Sequence, residues 1–160
     1  MKVLILYDSV FGNTEKIALA MAGALDDSSS AIKVNDIDIK RLNEQDLLVV
    51  GSPTRGFRPT EEIAQLLKNL PDGYLKGKKA VAFDTRIPLE SIGNKFFRGM
   101  VKLGGFADKV ISNQLRKKGA EVLPSTGFFV NASEGPLAEG EVERAAEWIR
   151  SLVISAENRQ

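Results

Sequence analysis

The sequence predicts an α/β domain in which helices cover both faces of a five-stranded parallel sheet, a three-layer doubly wound arrangement. Three observations predict it. Short apolar runs alternate along the chain with segments whose apolar residues recur at helical spacing. Leu47-Leu48-Val49-Val50 and Lys79 to Phe83 are apolar without alternation, as strands covered on both faces are. Turn-rich loops (Asp8 to Thr14, Ser52 to Pro59 and Asp84 to Pro88) each follow such a strand. A parallel sheet brings the carboxyl ends of its strands to one edge, so the three loops should line one pocket there.

The elements follow in order. Met1 to Leu6 is an apolar run of strand character, and Glu15 to Leu25 carries Ile17, Leu19, Ala20, Met21, Ala24 and Leu25 at helical spacing. Ala31 to Ile37 alternates apolar and polar residues and reads as a strand near an edge, followed by a polar connection over 38–46. After the Leu47–Val50 strand and its Gly51-Ser52-Pro53-Thr54 turn, Thr60-Glu61-Glu62 opens a helix that stops at Pro71-Asp72-Gly73. Between Asp84 and Gly105, Ile92, Phe96, Phe97, Met100, Val101 and Leu103 give an apolar helical face, and its Phe96-Phe97-Met100 stripe is read as core or cover, with a partner surface or flavin lid as the alternative. Phe106 to Lys118 is a helix with a basic end, Arg116-Lys117-Lys118, read as solvated and suited to the helix dipole. Val122-Leu123 and Gly127 to Val130 form the last strand, interrupted by Pro124. Leu137 to Ile154 is an amphipathic helix with Val142, Ala145, Ala146, Trp148, Ile149, Leu152 and Val153 toward the core. One domain over residues 1–155, with 156–160 a frayed tail, accounts for the chain.

Composition narrows the chemistry. With 43% apolar and 27% charged residues, the 160-residue chain has the makings of a globular core. No run of about 18 apolar residues suggests a membrane span, and no signal peptide is legible, so a cytoplasmic monomer is expected. There is no cysteine and no histidine. Thiolate metal sites, cysteine nucleophiles and imidazole acid–base catalysis are therefore excluded. Chemistry, where it occurs, belongs to a bound cofactor rather than to side chains, and no catalytic or metal-binding residue is expected. A net charge of +1 gives no reason to expect nucleic acid.

The first loop is the most informative. A strand that ends in Ser9-Val10-Phe11-Gly12-Asn13-Thr14 and opens a helix is an anion site, because the first helical amides are unpaired and the macrodipole favours negative charge. Ser9 and Thr14 add hydroxyls, and Gly12 allows the amides to converge. The plainer alternative is an ordinary helix cap. Asp8 reads as a loop brace rather than a catalytic acid. Pro53-Thr54-Arg55-Gly56-Phe57 and Asp84-Thr85-Arg86-Ile87 read as ligand loops, with simple turns or loop bracing as their alternatives.

These residues resemble the flavodoxin family. Ser9 to Thr14 is similar to its phosphate loop, Ser/Thr-x-Thr-Gly-x-Thr, and Gly51-Ser52-Pro53-Thr54 to the loop lining its isoalloxazine. The resemblance covers essentially the whole chain and implies the flavodoxin-like strand order 2-1-3-4-5. It implies non-covalent FMN passing through quinone, semiquinone and hydroquinone states, and electron exchange with partner proteins, a reductase and an acceptor. An FMN-dependent NAD(P)H:quinone or azo reductase of the same fold is the alternative. By the same resemblance Ser9, Asn13, Thr14 and loop amides bind the phosphate, backbone groups of Thr54 to Phe57 and Asp84 to Ile87 meet the ring, and a peptide at Gly56 flips toward the flavin. Phe11 stands where the family has a hydroxyl, and the fourth-strand loop lacks a stacking tyrosine. Phe57 could cover one flavin face, and Ile87 or a residue of the Ile92–Leu103 segment the other. Arg55, Arg58 and Arg86 on these loops should raise the potential of the second electron, with contact to an acidic partner or to a nicotinamide cofactor's phosphates as the alternative role.

Overall fold

Hydrogen bonding between parallel strands builds one sheet in a computed structural model that describes residues 1–158. The strands are β1 (Val3–Tyr7), β2 (Ser30–Lys33), β3 (Leu47–Pro53), β4 (Lys79–Arg86), β5 (Glu121–Val122) and β6 (Thr126–Phe129). They lie in the order β2-β1-β3-β4-β5, with β6 also on β4. The expected 2-1-3-4-5 order is thus observed. Its fifth strand comes in two pieces: Lys79 and Ala80 pair with β5, and Phe83 to Arg86 pair with β6. Pro124, which has no amide to donate, falls in the gap between them.

The helices are α1 (Asn13–Gly23), α2 (Glu61–Asn69), α3 (Lys95–Gly104), α4 (Ala107–Lys117) and α5 (Glu141–Glu157). On one face of the sheet Leu4, Leu6, Leu48 and Val50 pack against Ile63 and Leu67 of α2 and Ile111 and Leu115 of α4. On the other, Ile5, Val49, Val81 and Phe83 pack against Ile17 and Met21 of α1 and Ala145 and Ile149 of α5. Each fully buried large side chain contributes roughly 1.5–3 kcal/mol through removal from water. Gly51 belongs to β3 opposite Phe83, and a Cβ there would lie 2.0 Å from the Phe83 ring. The glycine therefore makes room for a core aromatic as well as preceding a turn.

Several local expectations change. β2 stops at Lys33, and Val34–Asp36 is a 3-10 turn that buries Val34. Lys118 is not solvated: it is 8% exposed and donates to the Lys68 carbonyl and to Asp72. Val142 is exposed, whereas the neighbouring Glu141 is buried, accepting from the Phe129 amide and pairing with Arg144. Trp148 is partly buried and packs onto the core against Phe128, on the side expected. α5 runs to Glu157 with Ala156 buried, and Glu157 pairs with the amino terminus. Residues 159–160 of the expected frayed tail lie outside the described residues. The largest difference is α3, of whose apolar residues only Val101 is buried. No described helix is long and apolar enough to cross a membrane.

Candidate functional site

At the carboxyl edge of the sheet, the loops after β1, β3, β4 and β6 enclose a cleft of about 440 Å³. That is within the range of small-molecule and cofactor sites, roughly 300–1,000 Å³.

The loop after β1 forms the anion end. Asp8 braces it by accepting the Ser9 amide, at 2.9 Å. Ser9 Oγ accepts from the Gly12 amide at 3.1 Å, which leaves its own proton free to donate. Gly12 caps α1 in the left-handed region, φ +90°, where glycine avoids the steric cost other residues meet. α1 has no side-chain cap, and its first helical hydrogen bond runs from Lys16 N to Gly12 O. The amides of Asn13, Thr14 and Glu15 thus precede that bond, as a phosphate cradle requires.

Thr14 and Thr85 are both buried, and their hydroxyl oxygens lie 2.8 Å apart. One hydroxyl donates to the other, which ties the first loop to the end of β4. Asn13 is pinned from the opposite side, its Nδ2 donating to the Glu134 carbonyl at 3.1 Å. A Cβ on Gly135, which has φ +107°, would lie 2.7 Å from the Asn13 amide. The glycine lets that loop close onto Asn13.

The loop after β3 is a tight reversal. Arg55 and Arg58 exchange both backbone hydrogen bonds, at 2.8 and 3.1 Å. Gly56 and Phe57 between them have φ +53° and +68°, the signs of a type I′ turn. Phe57 is the one described residue other than glycine with positive φ. Its ring stacks on Phe97 of α3 with centroids 5.4 Å apart. Because Arg55's backbone groups close the turn and Thr54 N donates to Thr85 O, the apex groups of Gly56 and Phe57 are the ones presented outward. Arg55 lies over the Phe11 ring, 5.6 Å from its centroid. Phe11 thereby bridges two loops in place of a hydroxyl.

Beyond β4, Arg86 is clamped. It donates to both Asp84 oxygens at 2.6 and 2.8 Å, pairs with Asp108 at 3.1 Å and stacks on Phe106 at 3.8 Å. Asp84 is fully buried and also accepts the Asp108 amide. Burial pushes its carboxyl up to about 6 against the lowering pull of Arg86. Gly127 is what admits the guanidinium, because a Cβ there would stand 2.2 Å from Arg86 Nε.

Of the residues expected from the sequence, the cleft wall takes Ser9, Val10, Phe11, Asn13, Thr14, Pro53, Thr54, Arg55, Gly56, Thr85, Arg86 and Ile87. Gly12 contributes backbone behind it, and Phe57 faces Phe97. Asp84 does not reach the cleft and holds Arg86 instead. Sequence reasoning did not include Val130, Ser133 and Glu134 from the loop after β6; Phe97, which it read chiefly as core or cover, also lines the cleft. That loop follows the last strand just as the other three follow theirs, which was the available signal. The charge expectation also changes: with two carboxylates on it, Arg86 adds no net positive charge, so Arg55 and Arg58 remain as the exposed cations of these loops.

The sequence matches the family model of the flavodoxin domain over residues 4–92. Among solved structures, the chain is similar to an archaeal flavodoxin, at TM-score 0.74 and 18% identity, over 98% of this chain and 99% of that one. It is similar to flavodoxin 1 from Bacillus cereus at TM-score 0.70 and 20% identity, over 96% and 97%. It also resembles two-electron reduced Megasphaera elsdenii flavodoxin at TM-score 0.63 and 23% identity, over 93% and 98%. No curated protein matches the sequence significantly.

Proposed function

Because the chain belongs to the flavodoxin family, whose members are FMN-binding electron-transfer proteins, we propose that it carries single electrons between partner proteins on an FMN held in the four-loop cleft. Its cofactor is FMN. When bound, FMN supplies a ring that takes up and releases electrons one at a time.

The observation that carries the residue assignment is the uncapped start of α1, where Asn13, Thr14 and Glu15 offer amides beside the free proton of Ser9 Oγ. These groups would hold the phosphate dianion by charge-assisted hydrogen bonds without a lysine or arginine. The Thr14–Thr85 contact and the Asn13–Glu134 contact keep that cradle in register with the rest of the cleft. The apex Gly56-Phe57 and the end of β4, Thr85 to Ile87, would border the ring. Phe11 and Phe97 supply apolar surface at its sides. The cleft wall combines backbone, hydroxyl, amide and apolar groups with Arg55, Arg86 and Glu134, and Arg86 is held by Asp84 and Asp108.

The test is to purify the protein, load it with FMN and titrate it with dithionite. Flavin absorption bands and a distinct one-electron-reduced species are expected. A protein that remains colourless with excess FMN overturns the assignment. Rapid NADPH oxidation with no partner reductase present would favour a reductase instead.

A further inference from the structure

We infer that α3 is a docking face for an acidic electron-transfer protein. This inference rests on the electron-carrier reading and adds which surface is used and the sign of the partner's charge. α3 turns outward what a helix ordinarily buries: Phe96 is 75% exposed and Leu103 92% exposed, with Met100 between them at 42%. Positions 96, 100 and 103 fall on one helical face. Exposed apolar groups clustered in this way mark an interaction surface rather than ordinary surface scatter.

Two observations select the occupant. The helix carries Lys95, Arg98 and Lys102 and no carboxylate, and these three cations line a shallow groove of about 380 Å³ in which Glu90 is the sole acid. Arg55 and Arg58 extend the same sign to the loop after β3. The partner's rim is therefore acidic, with an apolar centre to cover Phe96, Met100 and Leu103. The face is also continuous with the cleft, because Phe97 lines the cleft wall and stacks on Phe57. Whatever covers α3 sits at the cleft mouth, where a partner must come to exchange an electron. A lipid surface could also take a short basic amphipathic helix, but it offers no electron acceptor at that mouth. In the transfer itself one electron leaves the reduced flavin and one oxidised acceptor centre is reduced by one.

The holoprotein, reduced with dithionite, is mixed in stopped flow with ferric cytochrome b5, an acidic haem protein, or with ferric cytochrome c, a basic one. The chain's net charge of +1 and the FMN phosphate dianion leave the holoprotein only slightly negative, so the molecule as a whole steers neither acceptor strongly and the salt response reports the local field. The rate to the acidic acceptor should fall about tenfold between low and physiological salt, and the rate to the basic one should not. The combined K95E/R98E/K102E variant should lose about tenfold at low salt toward the acidic acceptor. The combined F96S/L103S variant should bind it more weakly with the salt slope kept. Carbodiimide should cross-link acceptor carboxylates to Lys95 and Lys102. Lys95, Phe96, Lys102 and Leu103 are exposed and Arg98 is half-buried, none of the five lines the cleft, and FMN affinity and oxidation by dioxygen should be unchanged in both variants. Wild-type rates in both variants with FMN bound would overturn the docking face and leave the carrier reading intact. Failure to bind FMN would overturn the carrier reading itself. Sedimentation with phosphatidylcholine–phosphatidylserine vesicles that is lost in the same variants, without the acceptor effect, would assign the face to a membrane and overturn the inference.

Discussion

Gly127 shows how much of the site depends on a missing side chain. It lets the Arg86 guanidinium cross the edge of the sheet, and its own carbonyl accepts from Arg144 at 2.6 Å. Gly127→Ala should evict Arg86 from Asp84, Asp108 and Phe106, leaving a buried carboxylate unpaired. The expected cost is about 3 kcal/mol in urea unfolding, together with weaker FMN binding. Asp84 gives a pH signature of unusual sign. Its folded value, about 6, lies above the ordinary aspartate value of 3.8, so between these the folded state holds the extra proton. Its contribution to stability is therefore greatest at acid pH and falls as pH rises through 4 to 6, by an amount on the order of 3 kcal/mol. For Glu141, burial would raise the carboxyl, but Arg144 and the Phe129 amide hold it below the usual carboxylate range, so its contribution is present above its ordinary value of 4.5 and is lost as pH falls below it. The urea midpoint should drop on going from pH 5 to pH 7, and Asp84→Asn should flatten that slope. The sequence placed Arg86 beside the flavin but concealed its two carboxylates. Asp108 is distant in the chain and becomes a neighbour only when α4 packs beside β4.

At the scale of elements, regular pieces were legible and exceptions were not. β1, β3 and β4 read directly as apolar runs, and α4 and α5 as amphipathic helices, because burial on defined faces leaves a period in the sequence. α3 has a period just as clear, yet its apolar face meets solvent. A pattern reports that a face is apolar, not what covers it. The reversal after β3 was legible only as turn chemistry around Gly56; nothing local announces Phe57 at φ +68°. Both positions hold left-handed backbone, so Gly56→Val should lose about 1–2 kcal/mol in unfolding. It should also lower the yield of one-electron-reduced flavin in a reductive titration, and an unchanged yield would remove Gly56 from the flavin-facing role.

For the whole molecule, strand order was legible because alternating strands and helices permit few topologies, and the ends of those strands located the cleft. Charge was read as a sum when it acts locally. Near-zero net charge conceals a basic face around Arg55, Arg58 and α3, and the Arg86 cluster that carries as many negative charges as positive or more. Arg55→Gln with Arg58→Gln should lower the potential of the second electron by tens of millivolts at low salt, and by less at high salt. Potentiometry checks both. The hydroxyl contact between Thr14 and Thr85 has a broader consequence, since β3 separates the strands whose loops it joins. The two walls of the cleft meet before any flavin arrives, so the entropic cost of uniting them falls on folding rather than on capture. Flavin should therefore enter in a single kinetic phase. Its uptake should show a heat-capacity change set by the cleft surface alone, as when a vessel of fixed shape is filled, and Thr14→Val should add the signature of a segment ordering on binding.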